Sequence, residues 1–235
     1  MTEDRVEVIQ KNISIVTGRI SQAAHRAERD AGVVRLMAVT KTHPEAAVRA
    51  ALASGIVLFG ENRVQEAVSK YEGLTDRLEL HLIGHLQRNK AKLAARFFKW
   101  VESIDKIETA IALDRAASEA GIKLNVLIEV NTSGEESKFG LRGQESLFRL
   151  IEAVVDLENL TVRGLMTVGP FTSDQHRIRS AFSELRNLYE AAGREFSLQP
   201  WDTLSMGMSN DYEIAVEEGA TLVRIGTALF GSRGP

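Results

Sequence analysis

TLVRIGTALFG, residues 221–231, is the stretch that decides the fold. It is the last of a series of β-rich runs, after LMAVTK (36–41), IVLFGEN (56–62), LELHLIG (78–84), WVESI (100–104), LNVLIEVN (124–131), LTVRGLMTV (160–168) and DTLSMG (202–207). Between these runs the apolar spacing changes to i, i+3, i+4, i+7. Leu147, Leu150, Ile151 and Val154 follow it, as do Ile178, Phe182, Leu185 and Tyr189. Ile9, Ile13, Val16 and Ile20 place a further helix before the first run. Regular alternation of strand and helix means parallel strands joined by crossovers, either in an open doubly wound sheet or in a closed barrel. With 221–231 counted, the strands number eight in 235 residues, near the usual size of a (β/α)8 barrel. An open sheet would more often carry a Gly-rich dinucleotide turn after its first strand, and none follows LMAVTK. The expectation is a single α/β domain over residues 1–235, a (β/α)8 TIM-type barrel with an extra N-terminal helix. That helix would cover the flank left bare by a missing helix after the eighth strand.

Composition excludes several classes of function. The net charge of -3 offers nothing to attract nucleic acid, and none is expected as a partner. The chain has no cysteine, which removes disulfides, thiolate metal sites and a cysteine nucleophile together. The opening MTEDRVEVIQ lacks the basic and apolar regions of a secretory signal. No apolar stretch approaches a membrane span. A cytoplasmic monomer is expected.

Barrels of this kind carry their active sites where the strands end. Lys41 closes the first run, so it is expected as a desolvated lysine at the mouth. Glu61, Asn62 and Arg63 end the second run, the third brings His81, His85 and Gln87 near the rim, and Ser103 and Asp105 follow the fourth. Loss of charge on burial would leave Lys41 as a nucleophilic amine. The last two runs lead into SMGMSND (205–211) and RIGTALFG (224–231), both composed of small hydroxyl residues and glycine ahead of helical spacing. Loops after the seventh and eighth strands often hold phosphate in such barrels. An amine that meets an aldehyde forms a Schiff base, and the cofactor that joins an aldehyde to a phosphate is pyridoxal 5′-phosphate (PLP).

With these residues in view, the chain resembles the pyridoxal phosphate homeostasis protein family, single-domain relatives of the alanine racemase barrel (fold-type III PLP barrels). The resemblance runs through AVTKTHP, FGENRVQE, HLIGHLQRNK, VNTSGEESKFG, RGLMTVGP and LSMGMSNDYEIAVEEGATLVRIGTALFG. It implies that Lys41 is the Schiff-base lysine and that Asn62 lies beside the cofactor ring. It implies that Ser205 or Ser209, with the backbone of Gly226 and Thr227, holds the phosphate. Arg224 would face the pyridine nitrogen, and His81 and Met206 complete the cofactor's surroundings. One motif departs from the family: Leu80 and Leu82 flank His81, where an aromatic residue usually precedes the histidine.

An arginine at the pyridine nitrogen keeps that nitrogen unprotonated and makes the ring a poor electron sink. Racemases of the related fold also have a second, β-rich domain that supplies a tyrosine for proton transfer, and the chain ends at Pro235, just after the eighth strand. The expected function is therefore to hold PLP and deliver it to PLP-requiring apo-enzymes, with no catalytic residue of its own. The alternative is a PLP-dependent amino-acid racemase or lyase using the same lysine. A metal-dependent hydrolase is disfavoured, because His81 and His85 straddle a strand end and share no helical face.

Overall fold

The computed structural model describes residues 3–231. Its strands are β1 (Arg35–Val39), β2 (Leu58–Glu61), β3 (Glu79–Leu82), β4 (Trp100–Ile104), β5 (Leu124–Glu129), β6 (Leu160–Met166), β7 (Thr203–Ser205) and β8 (Leu222–Ile225). They are parallel, follow one another in chain order and close into a barrel. β8 pairs with β1 from Arg35 opposite Leu222 to Ala38 opposite Ile225, and this pairing makes the closure. The TIM-type barrel expected from the sequence is the observed fold.

The strands read as apolar runs because both of their faces are covered. β2, β4 and β8 are buried at every position. One face meets the helices, where Ala38, Phe59, Leu80, Leu82, Val101, Val126, Leu165 and Val223 join the large apolar layer. The alternate residues point into the barrel. Inside it lie two small apolar clusters, Met37 with Val39, Leu58 and Leu222, and Trp100 with Leu127 and Met166. The aliphatic pair Leu80 and Leu82 thus belongs to the outer layer, and His81 between them belongs to the interior.

The outer helices are α1 (Glu3–Arg26), α2 (Glu45–Ala53), α3 (Val64–Tyr71), α4 (Ala91–Phe97), α5 (Ile107–Ala120), α6 (Gly143–Val155), α7 (Gln175–Phe196), α8 (Tyr212–Glu217) and α9 (Thr227–Phe230). α7 buries Ile178, Phe182 and Leu185 of the stripe predicted from the spacing, and its fourth member, Tyr189, is half-buried. Its start is set by Asp174, whose carboxylate accepts from the N–H of His176 at 2.9 Å and of Arg177 at 3.3 Å. A cap of this kind is worth about 1 kcal/mol.

At the end of the barrel the structure departs from the sequence reading. The strand does not run on to Gly231: β8 stops at Ile225, and residues 227–230 form the single turn α9. Ile225 pairs with Ala38, the last residue of β1 in register with β8, so beyond it the chain has no ladder to join. A short apolar run such as TALF fits either state by periodicity, and the missing partner strand decides it. α9 is too short to cover its flank. α1 lies across α2, α8 and α9, burying Ile9, Val16 and Ile20. This is the covering role expected of the extra helix, and each such aliphatic side chain contributes about 1.5–3 kcal/mol at most.

Candidate functional site

The C-terminal ends of the strands bring Lys41, Asn62, Ser209, Arg224, Gly226 and Thr227 to one end of the barrel. Lys41 sits two residues beyond β1, in a turn closed by the His43 N–H to the Thr40 carbonyl at 2.9 Å. Its side chain is half-buried, whereas the sequence reading expected it buried. The buried lysine is Lys70 of α3, 7% exposed and paired with Glu61 at 2.7 Å and Glu66 at 2.8 Å. Asn62, half-buried, follows β2 and is crossed closely by Gly84, where a Cβ would lie 2.3 Å from the Asn62 carbonyl oxygen. Only glycine permits that approach.

The loops after β7 and β8 lie against each other. The Arg224 N–H donates to the Gly207 carbonyl at 3.0 Å, and the Ala228 N–H of α9 donates to Ser209 Oγ at 3.1 Å. At Gly226 a Cβ would sit 3.2 Å from the Val39 carbonyl, so the loop presents bare backbone there. Asp211 ties the β7 loop together by accepting from the Met208 N–H at 2.6 Å.

Three residues of the expected set are placed elsewhere. Met206 is fully buried in the apolar layer between strands and helices. His81 and Ser205 lie inside the barrel, below the mouth, in a continuous polar chain. His81 Nε2 meets Glu79 at 2.7 Å and His81 Nδ1 meets Glu102 at 2.6 Å, with the ring stacked on Trp100 at 4.9 Å. The Ser205 hydroxyl donates to the other Glu102 oxygen at 2.6 Å and accepts from Arg224 at 2.6 Å. Arg224 finally donates to the Thr167 carbonyl at 2.6 Å. Burial alone would push the Glu102 carboxyl up, but the His81 bond and the charges of His81 and Arg224 hold it below the usual carboxylate range. The rim position expected for His81 is corrected here: it points inward because it alternates with two leucines that face the helices.

The sequence pattern described as alanine racemase, N-terminal domain, matches residues 15–234. A pyridoxal phosphate homeostasis protein of Pseudomonas aeruginosa is 46% identical over 229 residues, which cover 97% of this chain and 97% of that one. The protein of the same name in Aquifex aeolicus is 42% identical over 224 residues, 95% of this chain and 97% of its own. This chain belongs to the pyridoxal phosphate homeostasis protein family. Among solved structures, PipY of Synechococcus elongatus with PLP bound matches at TM-score 0.82 and 35% identity, over 95% of this chain and 100% of its own. An unknown protein from Bifidobacterium adolescentis matches at TM-score 0.92 and 37% identity, over 98% and 97% of the two chains. An alanine racemase of Clostridium difficile, 16% identical at TM-score 0.72, shares the fold, with 99% of this chain covering 58% of the racemase.

In this homeostasis-family barrel, the buried polar atoms lacking a partner among the described residues are Glu61 Oε2, His85 Nδ1 and Asp105 Oδ1. Glu61, the last residue of β2, shares its outward face with Phe59 and packs against Lys70 of α3, whereas His85 and Asp105 lie beyond the ends of β3 and β4. An unmet buried polar atom costs about 1–3 kcal/mol, so His85 and Asp105 mark places where a bound polar group would complete the protein's hydrogen bonding. Together with Lys41, Arg224 and the bare backbone at Gly226, this end suits a small molecule carrying a carbonyl, an aromatic nitrogen and an anion.

Glu102 and Glu129 were not singled out from the sequence, although each carried a signal. A glutamate in the middle of WVESI, or at the end of LNVLIE, puts a charge on a strand otherwise buried, and such a charge needs a partner. Glu129 is 7% exposed. Burial first, and then the nearby Asp105 charge, push its pKa up to about 7, against the pull of Arg224. A carboxyl raised in the folded state favours folding below its unfolded value near 4.5, and that contribution is lost as the pH rises through about 7. Glu129→Gln should therefore gain about 2 kcal/mol on the wild type between pH 5 and pH 8 in urea melts of the cofactor-free protein. Parallel stability curves for the two proteins across that range would refute the assignment.

Proposed function

We propose that the protein binds PLP at the barrel mouth, retains it through Lys41, and releases it to PLP-requiring apo-enzymes as part of PLP homeostasis. The observation that carries this reading is the end-to-end match to pyridoxal phosphate homeostasis proteins, with Lys41, Asn62, Arg224 and Gly226 meeting at one end of the barrel. When bound, the cofactor supplies an aldehyde that condenses reversibly with a primary amine.

Lys41, just beyond β1, would be that amine, and Asn62, just beyond the neighbouring β2, would line the same side. Ser209 and the backbone at Gly226 and Thr227 would be the donors for the phosphate. Ser209 is preferred over Ser205, whose hydroxyl is already engaged on both sides by Glu102 and Arg224. Arg224 would face the pyridine nitrogen. Its guanidinium is anchored by Ser205 and by the Thr167 carbonyl, so it is held in place before any ligand arrives. Burial lowers its pKa, and the charges of Glu102, Asp211 and Glu129 oppose that shift. An arginine in such acidic company keeps its proton, and a cation at that point discourages protonation of the ring nitrogen. That arrangement serves retention better than carbanion chemistry.

The protein works as a monomer in the cytoplasm on this reading, and no helix among the described residues is long and apolar enough to cross a membrane. The test is transfer. Holo-protein mixed with a PLP-requiring apo-enzyme should restore its activity faster than PLP escapes to a trap. A panel of L- and D-amino acids should show no multiple turnover. Racemisation or decarboxylation at about 1 s⁻¹ or above, the low end of ordinary enzymes, would replace the carrier by a PLP-dependent racemase or lyase.

A further inference from the structure

The turn that carries Lys41 is held on both sides by one buried ion cluster. On the N-terminal side, the Thr40 carbonyl accepts from Lys70 Nζ at 2.7 Å, and the Thr40 hydroxyl donates to Glu61 Oε1 at 2.7 Å and pairs with the Tyr71 hydroxyl. On the C-terminal side, the Thr42 N–H donates to Glu66 Oε1 at 2.6 Å. Lys70 joins the two halves, because its ammonium also donates to Glu61 Oε1 at 2.7 Å and Glu66 Oε1 at 2.8 Å. Its three protons therefore have three acceptors, which leaves it no role as a competing nucleophile.

Thr42 explains what such a cluster has to do. Its φ is +65°, the left-handed region that a β-branched residue avoids. A backbone in that conformation persists only where its surroundings impose it. The imposing contacts come from β2 and α3: Glu61 is wholly buried, Lys70 is 7% exposed, and Glu66 reaches the turn from the first helical turn.

We propose that Lys70, bridging Glu61 and Glu66, is a positioning residue that holds the Thr40–Thr42 turn so that the Lys41 amine is presented to a carbonyl ligand in the mouth. This rests on the reading of Lys41 given above. Charge compensation alone would not require it: the third ammonium proton needs an acceptor but not the carbonyl next to Lys41, and Glu66 has no need of the Thr42 N–H. Both bonds lead to the residues that flank Lys41.

Two ligands separate positioning from general support of the pocket. PLP offers an aldehyde to Lys41. Pyridoxine 5′-phosphate has the same ring and phosphate with an alcohol in its place, and cannot react with the amine. Titrated with each, full-length cofactor-free Lys70→Met should bind PLP at least tenfold more weakly than wild type, with pyridoxine 5′-phosphate changed less than twofold. Equal losses for both ligands, or no loss for either, would overturn the proposal. Glu66→Ala provides a second variant should Lys70→Met fail to fold, since Glu66 is partly exposed. It should weaken PLP alone, by about threefold or more, and Thr42→Gly added to it should recover most of that loss, because glycine adopts φ +65° without strain. Failure of the glycine to rescue would count against the turn as the element being held. Should wild type itself show no preference for PLP over pyridoxine 5′-phosphate, the role of Lys41 falls and this inference falls with it. If that preference survives unchanged in both variants, only the inference falls.

Discussion

Glu102→Ala should destabilise the cofactor-free protein by about 3–5 kcal/mol, the cost of removing one partner from a buried charged cluster. The carboxylate is fully buried in the centre of the barrel, where it takes a hydrogen bond from Ser205 at 2.6 Å and meets His81 Nδ1 at 2.6 Å. Its removal leaves His81 with Glu79 alone. It also takes from Arg224 the strongest of the negative charges that oppose its desolvation. Water cannot easily replace it, because Trp100 stacks on His81 and Leu127 and Met166 fill the space beside that ring. For a domain of this size the loss corresponds to a fall in Tm on the order of 10 °C. Glu145→Ala gives the contrast: its pairing with Arg149 is exposed on α6, and its loss should fall within about 0.5 kcal/mol. Glu102→Gln keeps an acceptor for Ser205 and should lie between the two. If Glu102→Ala cost less than about 1 kcal/mol in urea melts, the chain from Glu79 to Arg224 would not be holding the barrel interior together.

Lys41→Ala should abolish covalent retention of PLP. Wild-type protein purified with PLP should be yellow, and borohydride should fix the cofactor on the peptide containing Lys41. In the variant no peptide should be labelled. Two other lysines at this end of the barrel, Lys70 and Lys138, are already engaged. Lys70 is saturated by Thr40, Glu61 and Glu66, and Lys138 donates to Glu135 at 2.8 Å and to the Gly169 carbonyl at 2.7 Å. Affinity should fall at least a hundredfold, about 2.7 kcal/mol. It should not vanish, since on the proposed reading Ser209, Gly226, Thr227 and Arg224 would still address the phosphate and the ring. Labelling of Lys70, Lys90 or Lys138 in the wild type, or a variant that stays yellow, would show that the amine had been misassigned.

Much of this protein was legible in its sequence. Alternation of β-rich runs with helical spacing is a local signal, and parallel strands joined in chain order leave little choice of topology once the runs number eight. Strand ends are equally local, so Lys41, Asn62, Ser209, Arg224 and Gly226 could be assigned to one mouth from their positions alone. What the sequence could not show is which side chains face each other across the barrel. Glu102 and Ser205 are 103 residues apart in the chain and 2.6 Å apart in the fold. Their contact depends on strand stagger and closure, which no window of sequence contains. The same holds for Ser205 and His81, which look like mouth residues until their inward direction puts them one level lower. It holds again for the lysines: Lys41 follows an apolar run yet stays half-buried, while Lys70, on a helix of mixed character, is enclosed because β2 and the Lys41 turn close over it. Propensity and periodicity act along the chain and determined the elements and their order. Burial and the pairing of charge act through space, and only the closed barrel decided them.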